Sequence, residues 1–175
     1  GRTLSIDGPI HGKISRVTKA SATPANGTRA SRGASELIHR RYTTPGSDPL
    51  AKVTYERRDS VISNPDGSVV AATRGAEVPA AWSQLATDIV VSKYFRRAGL
   101  HGDAKQGETS VRQVVHRIAH TLRISGEEQG GYFATPADAE TFEAELSHML
   151  VHQIGAFNSP VWFNVGLYHA YGITG

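Results

Sequence analysis

The run Phe157-Asn158-Ser159-Pro160-Val161-Trp162-Phe163-Asn164-Val165-Gly166 gathers a hydroxyl, two carboxamides and three aromatics into one short stretch. A hydroxyl donates one hydrogen bond and accepts others, a carboxamide does both, and an aromatic ring adds an apolar face. Together these groups can hold a polar ligand, and Pro160 restricts the backbone beside Ser159. The same residue types also suit a core-lining connection, with rings packed inward and Asn and Ser satisfying backbone groups. Spacing alone leaves both readings open.

Other combinations carry less chemistry. His116 and His120 are four residues apart, as are His148 and His152, so each pair can aim two imidazoles at one point from a helix. Neither intervening segment, Arg117-Ile118-Ala119 or Met149-Leu150-Val151, supplies the Glu of an H-E-x-x-H zinc motif. No third ligand stands out, so these histidines are expected on a helix surface or in packing, and no metal is expected. Glu127, Glu128 and Gln129 precede Gly130-Gly131, but no Lys-Ser or Lys-Thr follows as a phosphate-binding loop requires, so a surface turn is expected. The chain contains no cysteine, which excludes a disulfide framework, a thiolate metal site and thiol chemistry carried by these residues.

Periodicity indicates the elements that must position these groups. Val53-Thr54-Tyr55-Glu56 alternates as a short strand, and Val61-Ile62, the turn Asn64-Pro65-Asp66-Gly67 and Val69-Val70 read as a hairpin. From Val78 to Gly99 the period becomes helical, with Trp82, Leu85, Ala86, Ile89, Val90 and Phe95 forming the stripe. A second helix is capped by Thr109 or Ser110 and runs through Val111, Val114, Val115, Ile118 and Leu122 to Gly126, its other face carrying Arg112, Arg117 and Arg123. A third starts at Thr135 with Pro136 in its first turn and Asp138 and Glu140 favouring the helix dipole. It buries Phe142, Leu146, Met149, Leu150 and Ile154, then ends at Gly155. The expected fold is mainly α, with three amphipathic helices and a small N-terminal β-hairpin.

The 175 residues, 39% hydrophobic, suffice for one domain with a real core. The formal charge of +3 and pI near 9.3 owe much to Arg2, Lys13, Arg16, Lys19, Arg29, Arg32, Arg40 and Arg41, opposed before Asp48 only by Asp7 and Glu36. Low aromatic content and the Ser, Thr, Ala, Gly and Pro of Ala20 to Ser35 make residues 1–40 an expected disordered basic tail ahead of a helical domain over 41–175. No apolar run reaches the ~18 residues of a membrane span and no secretory apolar core opens the chain, so a cytoplasmic location is expected. Gly at both ends reads as a piece of a longer chain.

Five separated strings then agree in order and spacing: RYTTPGSDPLAKVTYERRDSVI from Arg41, WSQLATDIVVSKYF from Trp82, ETSVRQ from Glu108, EQGGYFAT from Glu128 and FNSPVWFNVG from Phe157. This pattern resembles the N-terminal region of adenosylcobalamin-dependent (class II) ribonucleotide reductases, from about Arg41 to Gly166. Tyr55 stands where the family pattern has Trp. The resemblance implies reduction of ribonucleotides to 2′-deoxyribonucleotides by thiyl-radical chemistry, with adenosylcobalamin as cofactor and a thioredoxin-type reductant. It implies diphosphates as substrates, and a catalytic α/β barrel built by the remainder of the reductase chain, beyond Gly175. The resemblance also gives Ser159, the hydroxyl residue before Pro160, a contact with the substrate nucleotide, and it assigns no catalytic residue here. The rival reading is a basic-tailed helical nucleic-acid or protein-interaction module, resting on the arginines before Tyr42 and on the second helix. Because a thiyl radical requires a thiol, these 175 residues alone, supplied with adenosylcobalamin, reductant and a ribonucleotide, should form no deoxynucleotide above a no-protein control. Product in a preparation free of host reductase would overturn that expectation.

Overall fold

In the computed structural model, which describes residues 38–174, Asn64-Pro65-Asp66-Gly67 reverses the chain with Gly67 at φ +86°. The Gly67 N–H donates to the Asn64 carbonyl at 2.9 Å. This turn joins β1 (Tyr55–Ser63) to β2 (Val69–Pro79) as a two-stranded antiparallel sheet. The separate short strand and small hairpin read from the sequence are thus one long ribbon, in which Tyr55 faces Pro79 and Glu56 faces Val78. A register shift between Arg58 and Ser60 absorbs an extra residue, so the ladder continues past a point where the alternation breaks. The tail expected over 1–40 lies almost wholly outside the described residues.

Because β2 extends to Pro79, the helix expected from Val78 starts later. Helix α1 covers Gln84–Ile89, capped by Ser83, whose hydroxyl accepts from the Ala86 N–H at 3.1 Å. It continues as a π-helical turn, Val90–Tyr94, in which the Phe95 N–H reaches the Val90 carbonyl at 3.0 Å. The wider turn changes which side chains face inward. Val90, Val91 and Phe95 are buried, whereas Leu85, expected in the stripe, is 70% exposed and Ile89 is exposed beside it.

Helix α2 (Val111–Gln129) opens with the capping box formed by Ser110 and Gln113. It runs past Gly126, the expected end, because Gly126 is buried where a Cβ would stand 2.6 Å from the Phe133 ring. The chain turns instead at Gly130, φ +70°, with Glu127, Glu128 and Gln129 in the helix's last turn. Helix α3 (Pro136–Val151) starts as read, Thr135 Oγ1 accepting from the Asp138 N–H at 3.1 Å. It stops short of Gly155: Gln153 adopts φ +56°, and Ile154 is 49% exposed rather than buried. Phe142, Leu146 and Met149 are only half-buried, while Asp138, Thr141 and Glu145 are buried on the same helix. Among the described residues the Asp138 carboxylate has no hydrogen-bond partner.

After α3 the expected loop is largely helical. Helix α4 spans Ser159–Asn164 and α5 spans Leu167–Tyr171, separated by Gly166 at φ +87°. Pro160 suits a first helical turn because the N–H it lacks would have no intrahelical partner there. The core joins Val78, Trp82, Val90, Val91 and Phe95 to Val114, Val115 and Ile118 of α2, Leu150 and Val151 of α3, and Trp162 of α4. The fold therefore has a β-hairpin and five helical segments among the described residues.

Arg117 departs furthest from expectation. Read as part of a solvent face with Arg112 and Arg123, it is 1% exposed and heads the fully buried side chains by size. Position 117 follows Val114 by three and precedes Ile118 by one, so it borders the apolar stripe. Its Nε donates to Glu108 at 2.7 Å, Nη1 to the Val165 carbonyl at 2.7 Å, and Nη2 to the carbonyls of Tyr94 at 3.1 Å and Trp162 at 2.8 Å. Glu108 also accepts from the Arg96 N–H and from the Tyr171 hydroxyl, each at 2.7 Å. Burial, with the neighbouring Glu108 charge, pushes the Tyr171 phenol well above its usual range.

Gly166 lies against the Arg117 carbonyl so closely that a Cβ would overlap it. Gly166→Ala should cost about 2–5 kcal/mol, from backbone strain plus overpacking. Gly172→Ala, at φ +72° in open space, should cost only about 1–2 kcal/mol. Urea denaturation of the two variants checks the difference. Arg117→Met, which leaves Glu108 buried without its cation, should cost about 3–5 kcal/mol, and a stability within error of the parent would refute the pair's structural role.

Candidate functional site

Ser159 is exposed at the start of α4, with Asn158 at the cap position before it. Its Oγ lies 3.1 Å from the Tyr94 hydroxyl, so the π-helical turn and α4 meet at two polar atoms that solvent can reach. Tyr94 is held in place by Trp162, at 5.7 Å between ring centroids and 21° between planes, and by Phe163 at 5.3 Å and 56°. Trp162 is itself buried and donates its indole N–H to the Phe157 carbonyl at 2.8 Å.

The other polar groups of the run divide between two roles. Asn164 turns its amide back on the Pro160 carbonyl at 3.2 Å, which braces the short helix. Asn158 is exposed and its side chain caps nothing. Phe163 remains 43% exposed. Within the run, Trp162 packs into the core while Ser159, Asn158 and Phe163 face outward.

A groove of about 360 Å³ adjoins this surface, lined by Lys93, Tyr94, Arg96, Arg97, Phe163 and Asn164 among others. Arg97 donates to the Ser92 carbonyl at 2.7 Å and Arg96 to the Ala98 carbonyl at 3.0 Å, and among the described residues neither guanidinium forms an ion pair with a carboxylate. Such a wall favours an anionic ligand. What the arrangement offers chemically is a hydroxyl donor, an aromatic face and positive charge. No acid-base pair or nucleophile with an adjacent base appears among the described residues at Ser159.

The histidines take structural places. His116 and His120 stack at 5.0 Å between centroids, and His120 Nδ1 lies 3.0 Å from Glu143. His148 and His152 are 4.2 Å apart, and Tyr42 stacks on His148 at 4.8 Å and 6°. Burial and the nearby His152 keep the His148 imidazole below its usual pKa. Burial alone would raise the Glu145 carboxyl, but hydrogen bonds from the Thr43 hydroxyl and the Tyr42 and Thr43 N–H groups outweigh it and hold the carboxyl low. Among the described residues no group of three or more His, Cys, Asp or Glu side chains converges on a point where a metal could sit. No helix among them is long and apolar enough to cross a membrane.

Reading the sequence singled out Ser159 but missed Tyr94, Glu108 and Arg117. Only Arg117 left a signal, as a charged residue in register with an apolar stripe.

The family described as class II vitamin B12-dependent ribonucleotide reductase matches residues 56–153. A vitamin B12-dependent ribonucleotide reductase of Streptomyces coelicolor is 50% identical over 148 residues, covering 84% of this chain and 15% of that relative. The protein of the same description from Streptomyces clavuligerus is 49% identical over 86% of this chain and 16% of its own length, and that from Bradyrhizobium diazoefficiens is 39% identical over 79% and 13%. The chain thus spans about a sixth of the relatives it matches. With a family match across more than half of its residues, the chain belongs to the class II vitamin B12-dependent ribonucleotide reductases.

Proposed function

We propose that this chain is the N-terminal region of a reductase that converts ribonucleotides, by preference diphosphates, to 2′-deoxyribonucleotides by thiyl-radical chemistry, and that Ser159 contacts the substrate. Residues 41–175 form its helical domain and residues 1–40 a basic arm. The cysteines belong to the remainder of the chain, an α/β barrel that a thioredoxin-type protein re-reduces in the cytoplasm. The carrying observation is the exposed Ser159 hydroxyl, set on a short helix whose carbonyls are held by the buried Arg117.

The chemistry on this side is binding and orientation. A serine hydroxyl donates to a phosphate or ribose oxygen, and Lys93 and Arg97 in the adjoining groove add positive charge where a polyanionic nucleotide approaches. Adenosylcobalamin, when bound by the whole enzyme, supplies the radical. A groove of about 570 Å³ is lined by Pro49, Leu50 and Ala144 as well as by Asp48, Arg112, Arg123, Glu140 and Glu143, and this mixed lining singles out no partner for a corrin. No cobalamin contact is therefore assigned to these residues.

Ser159→Ala in the full-length enzyme removes one hydroxyl and leaves Pro160 and the packing of Trp162 in place. A lost hydrogen bond to a charged group costs ~1.5–3 kcal/mol, so kcat/KM for the ribonucleotide should fall roughly tenfold or more at unchanged Tm. Parental kinetics would remove Ser159 from the substrate site, and a large fall in Tm would make the hydroxyl a packing element.

A further inference from the structure

We propose that Tyr94 is a positioning residue for the substrate contact: its phenol holds the Ser159 hydroxyl in the orientation that donates to the nucleotide. The inference rests on the reading of Ser159 given above. Its own support is the 3.1 Å separation of the two oxygens and the way the fold immobilises the tyrosine.

The order of donors follows from the charge of the ligand. A phosphate oxygen can only accept, so Ser159 must spend its single proton on the nucleotide. The remaining partner of Ser159 Oγ must then donate to it, and the Tyr94 hydroxyl occupies that place. A Tyr–Ser–phosphate chain in which each hydroxyl donates onward polarises the serine and strengthens its bond to the anion. Without Tyr94 the serine hydroxyl is free to rotate, and turning it toward the ligand costs entropy at each binding event.

Three features hold the phenol for this role. Its ring lies between Trp162 and Phe163, and its carbonyl accepts from the buried Arg117, which also holds the Trp162 carbonyl of α4. One guanidinium therefore ties together the two backbones that bring Tyr94 and Ser159 into contact. The third is the π-helical turn Val90–Tyr94, whose widened geometry presents Tyr94 toward α4. Such turns recur at functional sites.

The test is steady-state kinetics of the full-length holoenzyme with a ribonucleoside diphosphate, in four proteins: parent, Tyr94→Phe, Ser159→Ala and the double variant. Tyr94→Phe keeps the ring between Trp162 and Phe163 and removes only the hydroxyl. Loss of one neutral hydrogen bond should raise KM roughly three- to tenfold. A phosphate contact remote from the reacting ribose carbon serves ground and transition states alike, so kcat should stay within about twofold. In the Ser159→Ala background the same change should do nothing further, because the group it orients is gone. An unchanged KM in Tyr94→Phe while Ser159→Ala is impaired overturns the proposal and leaves the substrate contact standing. An undiminished Tyr94 effect in the Ser159→Ala background also overturns it, since the phenol would then act independently. Parental kinetics for Ser159→Ala would instead sink the substrate reading itself.

Discussion

The pairing of Arg117 with Glu108 in the interior is the constraint on which the second half of the fold depends. A guanidinium removed from water is tolerated only when its donors are matched, and here the partners are one carboxylate and the carbonyls of Tyr94, Trp162 and Val165. Those carbonyls sit at the ends of short or irregular elements, where helical hydrogen bonding leaves acceptors unpaired. The arginine thereby satisfies groups that α4 and the π-helical turn cannot satisfy themselves. Gly166 completes the arrangement from the other side, since only a residue without Cβ can pass so near the Arg117 carbonyl while holding φ at +87°.

This explains why a six-residue helix can hold an exposed hydroxyl in a defined place. Isolated helices of that length are unstable in water. Helix α4 persists because Trp162 is buried, its carbonyl and that of Val165 are held by Arg117, and Asn164 braces Pro160. Ser159 itself remains exposed at the start of this helix. Lys93, Arg96 and Arg97 line a groove on the same surface, which Tyr94 and Asn164 share.

A second fixed point lies at the chain's entry. Glu145 accepts from the N–H groups of Tyr42 and Thr43 and from the Thr43 hydroxyl, and Tyr42 stacks on His148. From the sequence, His148 and His152 read as surface or packing groups, and nothing local marks the partners of Glu145. The partners are 102 and 103 residues apart, which no local pattern records.

What the sequence determined by itself is what depends on near neighbours. Gly67 in its turn, Ser110 with Gln113, and Thr135 with Pro136 were all legible, since a cap or turn is decided within a few residues by which donors the chain leaves unpaired. The family too was legible, because spaced strings survive as strings. Tertiary structure alone decided the rest. Pairing with Tyr55 and Glu56 kept Pro79 and Val78 in a strand, and the helix after it leaves Leu85 exposed while Val90, Val91 and Phe95 are buried. Acceptors 23 to 48 residues away allowed Arg117 to be buried. The contact of Tyr94 with Ser159, 65 residues apart, belongs with these, because it exists only once those distant carbonyls have been gathered around one guanidinium.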